Sequence, residues 1–243
     1  VSLTYSGSGA PSVEGINFKA MKGQTIGVIG GTGSGKSSLV NLIPRLYDAT
    51  QGEVLVDGVN VKDYDIEALR NKVGIVMQKA VLFKGTIREN MWMGKKGATD
   101  EQIDEALEIS QSKEFVDSKQ GRLDYVIEQG GKNLSGGQRQ RLTIARAIVR
   151  KPDVLILDDS ASALDFATDA ALRKAIRGMN NSPTVFIVSQ RAASLMYADL
   201  IIVLDDGQVA GMGTHDELLA NCEVYKEIYE SQFKKADSEG GVA

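Results

Sequence analysis

The chain has 243 residues, 42% hydrophobic and 25% charged, with a formal net charge of −4. That length and apolar content suffice for a sizeable core without covalent staples, and the single cysteine, Cys222, excludes an internal disulfide framework and fits a reducing compartment. The acidic balance argues against a dedicated nucleic-acid binder, and the longest apolar runs, such as Val154–Leu157, are far too short to cross a bilayer.

No signal peptide opens the chain, which begins at Val1 rather than Met and reads as a domain excised from something longer. Short strands with glycine turns come first: Val1–Tyr5, Gly15–Ala20, Thr25–Ile29 and Glu53–Asp57. Lys36 to Ile43 reads as a helix ended or kinked by Pro44, and Val73–Met77 as a strand. From Ile87 to Lys119 the pattern is helical, with Ile103, Ala106, Leu107 and Ile109 in period. Gln138–Arg150 is a further helix, stopped by Pro152. Val154–Leu157, Thr184–Val188 and Leu200–Leu204 are continuous apolar strands of the kind buried on both faces of a parallel sheet. Helical stretches separate them, so the core is α/β. The helix-rich insert at 85–150 reads as a subdomain, and the polar tail Lys234–Ala243 is expected to fray.

Gly30-Gly31-Thr32-Gly33-Ser34-Gly35-Lys36-Ser37 matches G-x-x-x-x-G-K-S, with a strand before it and a helix after it. Phosphates need backbone N–H groups converging on one point, and glycines allow that curvature. Lys36 brings a point charge to the β/γ-phosphates, and Ser37 offers a hydroxyl to Mg²⁺. Ser38 follows in the same turn. A dinucleotide fingerprint fails, because Lys36 stands where its third glycine belongs. The phosphates then require an acid for the magnesium. Asp158 ends an apolar strand, where the carboxyl ends of parallel strands meet the ligand crevice.

Leu134-Ser135-Gly136-Gly137-Gln138 opens a helix and makes a second anion-binding turn, or, taken alone, an ordinary helix cap. Together with the phosphate loop and Asp158 it resembles the signature of ATP-binding cassette (ABC) ATPases, and the likeness covers nearly the whole chain. The resemblance implies a P-loop, RecA-like parallel core with an antiparallel β subdomain and an inserted helical subdomain carrying the signature. It places the β subdomain and first part of the core at 1–84, the helical subdomain at 85–150, the rest of the core at 151–233 and a flexible tail at 234–243. It implies ATP and Mg²⁺ as ligands. Gln78 looks like the family's Q-loop glutamine, near metal and catalytic water. Ser162-Ala163-Leu164-Asp165 looks like its D-loop. Tyr5 looks like the aromatic that stacks on adenine, although a core or edge-strand role fits the same residue. Leu82–Asn90 and Glu128-Gln129-Gly130-Gly131 resemble exporter segments that face a transmembrane domain. The implied partner is therefore a transmembrane domain fused upstream, at the cytoplasmic face of a membrane.

Two positions depart from the family pattern. After the magnesium Asp the family usually has Glu to polarise the attacking water; this chain has Asp159, one methylene shorter. After the next core strand it usually has His; this chain has Gln190, which donates a hydrogen bond but carries no charge. The pair resembles the degenerate half of heterodimeric exporters, in which ATP lies between the phosphate loop of one subunit and the signature of the other. A slow homodimer is the alternative. The sole histidine, His215, follows Thr214 and precedes Glu217 in a capping-box pattern and belongs to a helix start. A chromosome-organising ABC ATPase would need a long coiled coil between phosphate loop and signature; only a compact insert stands there. The basic run Lys132–Lys151 reads as a solvated, partner-facing helix side rather than a nucleic-acid patch. Trp92 reads as packing within the insert.

Overall fold

Two units make up the chain in the computed structural model, which describes residues 1–159 and 163–239: Val1–Arg70 with Thr184–Ala243, and Asn71–Pro183. In the first unit the apolar run Thr25–Gly30 is β1, buried along its whole length. The chain then turns through Gly35 into α1 (Lys36–Asn41). Asp57-Gly58 is the two-residue turn between β2 (Leu55–Val56) and β3 (Val59–Asn60), a dipeptide suited to tight hairpins. Val1–Tyr5 and Gly15–Ala20 do not form the expected strands. Ser2 and Leu3 make only isolated antiparallel bridges, to Gln51 and Val13. Leu3, Val13 and Ile16 are nevertheless buried, so their apolar pattern is satisfied by packing rather than by a ladder. Helix α2 (Ile66–Lys72) follows.

The second unit opens with β4 (Val73–Val76) and the short β5 (Gly85–Thr86). The helical stretch expected from Ile87 to Lys119 is divided into α3 (Ile87–Trp92), α4 (Asp100–Ile109) and α5 (Lys113–Asp117). Thr86 and Thr99 start the first two with capping boxes completed by Glu89 and Gln102. Each threonine satisfies an orphan helix amide while the glutamate or glutamine reaches back, so capping chemistry cuts the periodic stretch. After β6 (Val126–Ile127), α6 (Gly136–Ile148) buries Leu142, Ile144 and Ala145. β7 (Val154–Asp158) pairs in parallel with β4, Val73 opposite Val154 through Val76 opposite Leu157. Asp165 caps α7 (Phe166–Arg177) by accepting from the Thr168 amide at 2.9 Å.

The chain returns to the first unit with β8 (Thr184–Val188), β9 (Leu200–Asp205) and β10 (Gln208–Gly213). β1 lies between β8 and β9, parallel to both, and β10 adds antiparallel to β9. The loop after β1 thus leaves from the middle of a parallel array at its carboxyl end, where open α/β sheets hold ligands. β10 is absent from the sequence reading because Gly211 and Gly213 hide its strand character. A Cβ at Gly211 would lie 2.8 Å from Cys222 Sγ, so glycine lets α8 (His215–Asn221) approach the strand. Helix α9 (Glu223–Glu239) continues past Lys234, where fraying is expected from sequence; residues 240–243 of that tail lie outside the described residues.

Candidate nucleotide site

In the first unit the expected phosphate loop is built around Lys36. Its ammonium donates to Gly30 O at 2.9 Å, to Gly31 O at 2.6 Å and to Ser34 Oγ at 3.4 Å. The side chain is 9% exposed and curls inside its own turn. Gly35 sits at φ 92°, and a Cβ there would collide with Ser12 O; a left-handed, tightly approached position of this kind admits only glycine. Gly31, Thr32, Gly33 and Ser37 are exposed, whereas Ser34 is buried. The turn therefore presents main chain and the Ser37 hydroxyl outward, while Lys36 and Ser34 hold it from within. Tyr5 donates its hydroxyl to Ser38 Oγ at 3.0 Å, and its ring meets Tyr47 edge-on at 4.8 Å between centroids. Tyr47, 46% exposed, is an aromatic neighbour that no motif signals.

In the second unit Asp158 ends β7 with its residue 5% exposed. Asp159 follows at φ 46°, a left-handed conformation for which aspartate is among the better-tolerated residues. Gln78 Nε2 donates to Asp159 Oδ2 at 3.2 Å, so the structure brings together two residues singled out separately in the sequence. Ser135 caps α6 with a full capping box: Gln138 N donates to Ser135 Oγ at 3.2 Å, and Ser135 N to Gln138 Oε1 at 3.1 Å. Gln138 therefore spends its carbonyl on the cap, while the Ser135 hydroxyl keeps its proton for another acceptor. Gly136 and Gly137 form the first turn behind it. Arg139, which the sequence does not single out, donates to Leu134 O at 2.7 Å and to Gly131 O at 3.3 Å and braces this turn from below. Ser162 of the expected D-loop lies outside the described residues.

The arginines of the basic run are half-buried rather than solvated. Arg141 donates to Gln111 O at 2.7 Å and lies over Phe115. Arg146 donates to Val81 O at 2.9 Å and lies over Phe83. Burial pushes the guanidinium pKa values of Arg141, Arg146 and Arg150 down. Arg141 and Arg146 are taken up inside their own unit, because guanidinium stems and planes pack well on aromatic and main-chain surfaces, while Lys132 and Lys151 at the ends of the run stay exposed. Arg88 pairs with Asp100 and Asp124, and these carboxylates raise its pKa. Trp92 donates Nε1 to Ala98 O at 3.0 Å, in keeping with a packing role.

Asn90 organises the segment after Gln78. Fully buried, it donates to Phe83 O and Thr86 O and accepts from Phe83 N, each at 3.0 Å. Asn90→Ala is expected to cost about 2 kcal/mol of stability by stranding those main-chain groups, read as a lowered midpoint in urea with unchanged slope.

Gln190, in the first unit, has an exposed side chain beyond β8. His215 is buried at the start of α8, with Nδ1 2.8 Å from the Tyr225 hydroxyl. Burial pushes that phenol up to about 12. The histidine packs there against the rings of Tyr225 and Tyr229.

Residues 13–162 match the ABC transporter family. The chain belongs to the ABC transporter family. It is 43% identical over 243 residues, 99% of its length, to an uncharacterized ABC transporter ATP-binding protein of Mycobacterium tuberculosis, covering 41% of that protein. It is 39% identical over 232 residues, 96% of its length, to a Staphylococcus aureus protein named for multidrug export as an ATP-binding/permease protein, covering 40% of it. Among solved structures, a bacterial Atm1-family ABC exporter with ATP bound superposes with a TM-score of 0.90 at 31% identity, over 96% of this chain and 40% of the exporter chain. The chain thus spans about two fifths of the length of these ABC relatives. No described helix is long and apolar enough to cross a membrane.

Proposed function

We propose that this chain is the ATP-binding domain of a membrane exporter, working at the cytoplasmic face beside a transmembrane domain. It pairs through ATP with a second ABC subunit, and that pairing powers transport. In this reading the main chain of Gly30–Gly35 with Lys36, Ser37 and Ser38 binds the phosphates, and Tyr5 supports the adenine. The likeness to an exporter whose structure contains ATP supports the nucleotide. The exposed Ser37 hydroxyl and the Asp158 carboxylate are oxygen donors of the kind magnesium takes in small number, and Gln78 is the third candidate. Magnesium, when bound there, neutralises phosphate charge.

The domain's own site is a weak hydrolytic one, and Ser135, Gly136, Gly137 and Gln138 serve a partner's site. The observation that carries this is the Gln78–Asp159 hydrogen bond of 3.2 Å. A general base needs a lone pair aimed at the attacking water. Asp159 is a short carboxylate on a left-handed backbone, already accepting from Gln78. Gln190 donates from its amide but brings no positive charge to the γ-phosphate.

The test is ATP turnover of the full-length assembled protein with Asp159→Glu and Gln190→His, singly and together. Two defects at one reaction centre are non-additive, so each single change should give less than about threefold and the pair about tenfold or more. A wild-type protein whose own site already turns over briskly, unchanged by either substitution, would contradict the weak-site reading.

A further inference from the structure

We propose that Gln232, on α9, is a positioning residue that sets the loop carrying Gln190. The inference rests on the reading of Gln190 as the γ-phosphate contact given above. Gln232 Nε2 donates to Gln190 O at 2.7 Å, and Gln232 Oε1 accepts from Ala192 N at 2.9 Å. One carboxamide therefore clamps the main chain on both sides of Arg191. Upstream, Ser189 is buried and its amide donates to Val28 O of β1 at 3.1 Å, while its hydroxyl accepts from Arg191 N at 2.9 Å. The loop is thus tied at its start to the sheet and at its far side to α9, with the exposed Gln190 side chain between the two anchors.

The chemistry demands an amide. A carboxamide supplies a donor and an acceptor at one reach. Glutamate at position 232 would keep the acceptor for Ala192 N, lose the donor and set a carboxylate against the Gln190 carbonyl. Fixing both flanks of Arg191 fixes the direction in which Gln190 leaves the backbone. Misplacement of a contact group by about 1 Å is enough to lose most of its effect on a reacting group. Gln232 touches no nucleotide in this account; it acts through Gln190, and it makes the C-terminal helix part of γ-phosphate sensing.

The experiment measures affinity for ADP and for a non-hydrolysable ATP analogue in the full-length assembled protein. Their ratio reports discrimination for the γ-phosphate, and its change between variants reports this chain's site, because only this chain is altered. The variants are Gln190→Ala, Gln232→Ala, Gln232→Met, Gln232→Glu and the double Gln190→Ala/Gln232→Ala. Gln190→Ala and each Gln232 variant should lower the ratio about fivefold, the worth of one hydrogen bond, with ADP affinity unchanged. The double should fall no further than Gln190→Ala alone, because the two act as one unit. Gln232→Met keeps the side-chain volume, so a matching loss in it reports hydrogen bonding and not packing. If Gln190→Ala lowers the ratio and the Gln232 variants do not, or if the double loses the sum of the two, Gln232 is not positioning Gln190 and the inference is overturned while the reading of Gln190 stands. If Gln190→Ala keeps the wild-type ratio, the reading of Gln190 fails and the inference falls with it.

Discussion

Lys36→Ala is expected to weaken ATP binding by about 100-fold or more, since hydrogen bonds to charged groups are each worth about 1.5–3 kcal/mol. The Lys36 ammonium already lies inside the turn formed by Gly30, Gly31 and Ser34, and its bond to Ser34 Oγ, at 3.4 Å, is longer than those to Gly30 O and Gly31 O. That contact is the one most readily exchanged for a phosphate oxygen. The charge is therefore pre-placed, and ATP does not have to order a free lysine. Alanine removes the charge while favouring α1, because alanine is the best helix former. The folded state should survive, with an unchanged circular dichroism spectrum beside the lost calorimetric signal. Undiminished affinity in the variant would show that the loop is not the phosphate site.

The core was legible because its strands carry their own signal. Thr25–Ile29, Thr184–Val188 and Leu200–Leu204 are continuous apolar runs, and they are the parallel strands β1, β8 and β9. Val1–Tyr5 and Gly15–Ala20 show the limit of that logic. Leu3 and Ile16 are buried as an alternating strand would bury them, but burial can be met by single bridges and turns, and composition does not distinguish the two. In the helical insert, periodicity identified the helices but not their breaks. Thr86 and Thr99 set those breaks by capping, a short-range signal that overrides a weak periodic one.

The curvature of the glycine loop Gly30–Gly35 was legible for a different reason. Glycines at fixed offsets encode backbone curvature directly, and Gly35 at φ 92° is such a case. Gln78 and Asp159 were each recognisable, yet their hydrogen bond was not, because sequence does not bring separated residues to one atom pair. Tyr47, Arg139 and Gln232 were missed altogether. Tyr47 and Gln232 act through long-range contacts, on Tyr5 and on the loop of Gln190, and Arg139 through bonds to the nearby carbonyls of Gly131 and Leu134 that no motif announces. The arginines of α6 were read as solvated because charge predicts exposure on average; Arg141 and Arg146 instead lie over Phe115 and Phe83.

Ser135→Asp is expected to lower the turnover of the assembled pair about 100-fold, the usual scale for losing one donor to a developing anion. Aspartate is as good a helix cap as serine, and it can still accept from the Gln138 amide that now donates to Ser135 Oγ at 3.2 Å. The fold of α6 should hold. What changes is the turn proposed to bind the anion, which loses its hydroxyl donor and gains a carboxylate that repels phosphate. If this turn completes a competent site on a partner, the damage falls on the pair's main reaction. Lys36→Ala falls on the weak site and should spare part of the turnover. The most direct measurement is therefore steady-state ATPase of the full-length assembled pair, with Ser135→Asp in one preparation and Lys36→Ala in another. The account predicts near-complete loss in the first and substantial residual turnover in the second. Intact turnover with Ser135→Asp, together with its elimination by Lys36→Ala, would contradict it.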